Sequence, residues 1–90
     1  MSKSVISNEK KCLVCDTTLD LHKHHIFYGS NRQNSEKYGC WCYLCAKHHN
    51  MSNAGVHFDP VFDRRLKEVC QMQLGWSQEE FIRVFGRSYI

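Results

Sequence analysis

Chemistry in this chain is concentrated in its cysteines and histidines, six of each among 90 residues. Cys12 and Cys15 form a C-x2-C knuckle, and Cys45 and His48 repeat that spacing 30 residues later. Two such pairs, drawn from distant parts of a chain, can close a tetrahedral zinc site. The site would tie the N-terminal knuckle to the end of a second strand. A rival pair exists in Cys42 and Cys45, which would make a four-cysteine site. Residues three apart on a strand point to opposite faces, however, and "CWCYLC" holds no turn residue between them. Cys45 with His48 is therefore the favoured pair. Cys40, Cys42 and Cys70 then read as small buried hydrophobes.

The zinc uses one of the six histidines. Three more crowd into "LHKHHIFYGS", residues 21–30, as His22, His24 and His25. Imidazole has no special place in a strand, so such a cluster suggests metal binding or proton transfer. On a strand His24 and His25 face opposite sides, so one can bind a metal while its neighbour faces another group. His49 directly follows His48, and a rigid metal site would hold it in a fixed orientation. His22 shares the His24 face and reads as partly exposed, without a functional role. His57, in "GVHF", is a candidate extra metal ligand or phosphate contact, against a surface or helix-capping role.

The elements that must position these groups belong to one small α+β domain. Ninety residues bury little apolar surface, and domains of this size often add a metal or disulfides. Residues 1–11 read as a polar arm that does not resemble a signal peptide, and no run approaches a membrane span. A cytoplasmic setting follows as an expectation, where cysteine pairs suggest zinc more than disulfides. The net charge of +3 permits a polyanionic partner without requiring one. "LDLHKHHIFY" reads as the first strand, residues 29–37 as a loop, "YGCWCYLC" as the second strand, and "AKHHNMSNAG" as a short helix ending at Gly55. Asp59 and Pro60 then open an amphipathic helix whose buried face carries Phe62, Leu66, Val69, Cys70 and Gln73, ended by Gly75. Ser77 and Glu80 form a capping box for a last helix with Phe81, Ile82 and Phe85 buried and Gly86 as its stop.

Taken together, "CLVC", "HHIF" and "LCAKHH" resemble the HNH endonucleases of the ββα-metal fold, over roughly residues 12–57. The whole chain is similar to small HNH proteins carried by phages and prophages. The resemblance implies a zinc-pinned ββα-metal core at 12–57 with a helical extension at 58–90. It implies that His25 is the general base that takes a proton from water, and that His24 and His49 bind a catalytic divalent ion. His57 is the candidate addition to that ion. Products would carry 5′-phosphate and 3′-hydroxyl ends. A histidine at position 24, in place of an acidic residue, suits zinc, nickel or manganese better than magnesium alone.

Cys40 stands where the family usually has an asparagine that braces the loop carrying the base, so Asn31 or Asn34 is expected to serve instead. That departure motivates an alternative, a catalytically impaired HNH-fold module that binds DNA or a phage or host protein. A third reading is a plain zinc-stabilised interaction protein. Lys23, Arg32, Lys37 and Lys47 flank the site in sequence and could contact DNA phosphates, with Arg64, Arg65 and Lys67 as a second patch on the long helix. Phosphate contacts alone imply weak sequence preference. The residues point to no particular oligomeric state.

Overall fold

The structure is a computed structural model that describes residues 3–49 and 59–90. His57 and the remainder, residues 50–55, of the short helix expected to end at Gly55 lie outside the described residues. The architecture is α+β. Strand β1 (Leu21–His25) pairs antiparallel with β2 (Trp41–Cys45) in a two-stranded sheet. The register places His22 opposite Leu44, His24 opposite Cys42 and His25 opposite Trp41. Alternation therefore puts His22 and His24 on the face of Cys42 and Leu44, and Lys23 and His25 on the face of Tyr43 and Trp41. Both strands are shorter than their sequence patterns, because β1 ends at His25 and β2 starts only at Trp41.

Residues 29–37 are not a loop. A 3-10 turn (Gly29–Asn31) runs into helix α1 (Arg32–Tyr38). "RQNSEKY" is rich in good helix formers but shows no apolar stripe, because Ser35 is its only buried residue. The helix docks through hydrogen bonds instead. The Phe27 N–H donates to Ser35 Oγ at 3.0 Å, and that hydroxyl donates back to the Phe27 carbonyl at 2.6 Å. Gly39 ends α1 at φ 76°, where a Cβ would stand 2.1 Å from the Lys3 carbonyl oxygen. Only glycine fits, since it tolerates positive φ and lets the N-terminal segment approach. That segment is accordingly no free arm: the Ser4 hydroxyl is buried and donates to the Trp41 carbonyl, and the Val5 N–H donates to the Gly39 carbonyl.

Helix α2 (Ala46–His49) continues directly from β2. Helix α3 (Pro60–Leu74) starts where Asp59 accepts hydrogen bonds from the Val61 and Phe62 N–H groups, with Pro60 in its first turn. Its buried residues are Leu66, Cys70 and Gln71. Gln73, expected inside, is exposed. Gln71 takes the inner position because its carbonyl accepts from the Tyr89 N–H at 2.8 Å. Helix α4 (Gln78–Phe85) is capped by Ser77, whose hydroxyl accepts from the Glu80 N–H. The reciprocal half of the expected box is absent among the described bonds, because the Glu80 carboxylate pairs with Arg83. Phe81 and Phe85 are buried, whereas Ile82 is 41% exposed on the outer side.

One core joins the sheet to the C-terminal helices. Phe27 lies 4.4 Å from Phe85 and 5.5 Å from Phe81, ring centre to ring centre. Ile26, Leu44, Leu66 and the buried thiols of Cys40, Cys42 and Cys70 complete it. Among the described residues no helix is long and apolar enough to cross a membrane.

Candidate metal corner and histidine cleft

The cysteine knuckle lies along β2. The Leu13 N–H donates to the Tyr43 carbonyl, and the Asp16 N–H closes the knuckle onto the Cys12 carbonyl, both at 2.9 Å. Asp16 takes the turn at φ 62°, a left-handed conformation that aspartate tolerates better than most residues. The turn brings Cys12 and Cys15 beside the junction of β2 and α2. There the ligand atoms of Cys12, Cys15, Cys45 and His48 all lie within 4.8 Å of one another. Cys15 Sγ is 3.7 Å from Cys45 Sγ, and His48 Nδ1 is 3.7 Å from Cys12 Sγ and 3.2 Å from Cys45 Sγ. A tetrahedral ion with Zn–S near 2.3 Å sets S···S edges of about 3.8 Å and slightly shorter S···N edges. The four donors fit zinc in number, chemistry and spacing.

Electrostatics separates Cys12 from the buried thiols of the core. Burial works to raise Cys12, but backbone N–H groups of Cys45, Cys15 and Val14 donate to its sulfur and bring it down to about 6. A thiolate is the form that binds metal. Burial pushes Cys42 up to about 12, with the nearby Cys12 adding to the effect. A hydrogen bond with Cys40, together with burial, holds Cys70 well above the usual thiol range. Cys42 and Cys45 face opposite sides of β2, as their spacing requires, and Cys42 is fully buried. The four-cysteine alternative is therefore set aside.

A second site opens at the far side of β1. A cleft of about 460 Å³ is lined by Lys23, His24, His25, Tyr28, Gly29, Arg32 and His49. It touches side chains from both faces of β1, so it wraps the outer edge or the end of that strand. The ring centres of His24 and His49 are 5.3 Å apart. His25 enters from the opposite face, and its Nε2 lies 2.7 Å from Glu36 Oε2 on α1. The other carboxylate oxygen accepts from Lys23 Nζ at 2.7 Å. That lysine bond, then the one from His25, lowers the Glu36 pKa below its ordinary value of 4.5. An ionised carboxylate only accepts hydrogen bonds, so the His25 proton sits on Nε2. In the neutral ring the lone pair is then on Nδ1. A neighbouring cleft of about 470 Å³ shares Lys23, His25 and Arg32 and adds Gln33 and Glu36.

The structure thus brings together His24, His25 and His49, with Lys23 and Arg32 on the rim. Lys37 instead lies over the Tyr38 ring at 5.3 Å, and Lys47 is exposed on α2, so neither lines the cleft. Lys67 is drawn inward by Asp63 at 2.8 Å and the Tyr28 ring, leaving Arg64 and Arg65 as the exposed cations of that patch. Asn31 and Asn34 donate to the carbonyls of Phe85 and Val84, so they anchor α1 to α4 and do not brace the His25 segment. Ser35 bonds to that segment at Phe27, Glu36 at His25, and the Cys40 carbonyl at Ile26.

Sequence reasoning missed two residues. Glu36 was hidden in an apparent loop; the helix-forming composition of residues 32–38 was the available signal. His22 was set aside, yet its Nδ1 lies 2.9 Å from His49 Nδ1. Its alternation with His24 was the available signal. No protein-family model, curated protein or solved structure matches this chain.

Proposed function

We propose that this protein is a metal-dependent DNA endonuclease or nickase. One observation carries the reading: His25, held by an ionised Glu36, lines the same cleft as His24 and His49. Two antiparallel strands, joined through α1, with histidines at the end of the first and a short helix carrying His49 after the second, support the ββα-metal arrangement that the sequence resembles.

In this reading His25 Nδ1 takes a proton from water as the water oxygen attacks the scissile phosphorus. The bond from phosphorus to the 3′ oxygen breaks, and that oxygen takes a proton from solvent. Glu36 keeps the His25 proton on Nε2 and balances the imidazolium that forms. Lys23 and Arg32 sit where they can hold phosphate oxygens. A divalent ion on His24 and His49 would supply charge stabilisation for the phosphate and the leaving oxygen. Imidazole donors suit zinc, nickel or manganese better than magnesium. The Cys40 side chain is buried in the core, and its carbonyl accepts from the Ile26 N–H at 2.9 Å; the double hydrogen bond of Ser35 to Phe27, two residues beyond His25, supplies a further brace. The substrate would be cytoplasmic DNA, with little sequence preference.

Plasmid nicking over Mn²⁺, Ni²⁺, Zn²⁺ and Mg²⁺ tests the reading. His25→Ala is expected to lose nicking by about 10² or more, the scale of general base catalysis, while keeping zinc and fold. Equal nicking by the variant removes His25 from the chemistry. DNA binding without nicking under every metal favours a binding module instead.

A further inference from the structure

The His22–His49 pair is not explained by the reaction above. Two imidazole Nδ1 atoms 2.9 Å apart cannot face each other with two lone pairs, nor with two protons. The gap holds one shared proton, donated by one ring and accepted by the other. The rings meet edge to face, with centres 5.0 Å apart and planes at 89°. His22 and His24 sit two residues apart on one strand face, and His49 packs against both rings.

We propose that His22 is a positioning residue for the divalent-ion site, fixing His49 as the tautomer that coordinates through Nε2. A histidine that binds metal through one nitrogen commonly donates the hydrogen on the other. With Nδ1 of His49 engaged by His22, coordination falls to Nε2. His22 then accepts at Nδ1 and carries its own proton on Nε2. The inference rests on the proposed ion at His24 and His49, and it adds a residue that binds no ion itself.

The test begins with protein carrying only its corner zinc and uses Mn²⁺ as the probe. Binding is followed by calorimetry and electron paramagnetic resonance on the wild type, His22→Phe and His22→Asn. The phenylalanine keeps a ring but removes the acceptor. The asparagine places a carbonyl oxygen near the position of Nδ1. His22→Phe is expected to weaken Mn²⁺ binding about 10- to 100-fold, the usual cost of losing an outer-shell partner, with His22→Asn restoring most of it. Zinc content and circular dichroism report whether each variant folds. Wild-type affinity in His22→Phe, or equal weakness in both variants, overturns the role. A drop of one in the coordinated imidazoles of His22→Asn, counted by pulsed resonance, also overturns it by making His22 a ligand. A wild type that takes up no second ion defeats the proposed ion site itself. Nitrogen NMR of the zinc-only protein then still decides the His22 contact: His49 protonated on Nδ1 upholds it, and protonation on Nε2 overturns it.

Discussion

His48 and His49 are neighbours on α2, yet they serve different surroundings. His48 turns to the sulfurs of Cys12 and Cys45, and His49 to the imidazoles of His22 and His24. Successive helical residues project about 100° apart, so one turn presents two rings to two sites. The corner is closed, with four mutually adjacent donors. The cleft is open, with fewer donors and cations on its rim. Closed four-ligand sites hold structure, and sites with an open position hold substrate. The same type of side chain is thus assigned to the cysteine corner or to the histidine cleft by its neighbours alone.

That contrast is broken most severely at the corner. Treatment of the zinc-loaded protein with a chelator, or Cys45→Ser, is expected to abolish the cooperative thermal transition, since a structural zinc contributes on the order of 10 kcal/mol in small domains. A melting temperature unchanged after complete demetallation would show that the corner does not hold the fold. The cleft should respond in the opposite way. Glu36→Gln is expected to cut nicking about 10- to 100-fold, as a lost orienting partner does, with the corner zinc retained. Because Lys23 and His25 depress the Glu36 pKa, its ionic contribution to stability is complete above about pH 4.5 and is lost as pH falls through its lower folded value. Melting curves of wild type and Glu36→Gln should therefore differ at neutral pH and converge in acid. Divergence growing below pH 4 would contradict that sign. Ser35→Ala falls between the two regions. It leaves the buried Phe27 N–H without its acceptor and should cost about 1–3 kcal/mol in urea unfolding, with zinc content unchanged.

The corner was legible in the sequence because ligand spacing is local and the alternation of β2 excludes Cys42. The C-terminal helices were legible through Asp59, Pro60, Gly75, Ser77 and Gly86, which act within a few residues. Helix α1 was not, because it buries a serine and docks by hydrogen bonds rather than by an apolar stripe. Glu36 was lost with it, since its link to His25 spans 11 residues and depends on that helix. His22 is half-buried on the His24 face as expected, but its contact with His49 was not legible, because nothing local shows that His49 folds back over β1. Gln73 and Ile82 were misplaced for a related reason: Gln71 and the aromatic pair Phe81 and Phe85 already occupy the inner positions.

The anchoring of α1 by Asn31 and Asn34 bears on how this chain can be dissected. The segment with the metal corner and the histidines looks separable at about residue 58, with two helices as an appendage. Yet Phe27 rests on Phe81 and Phe85, and α1, which carries Glu36, is bolted to the end of α4. A truncation that kept the four corner donors and His25 would strip the inner wall from the strand end and release the carboxylate from its mooring. Minimal versions of this protein must keep both ends.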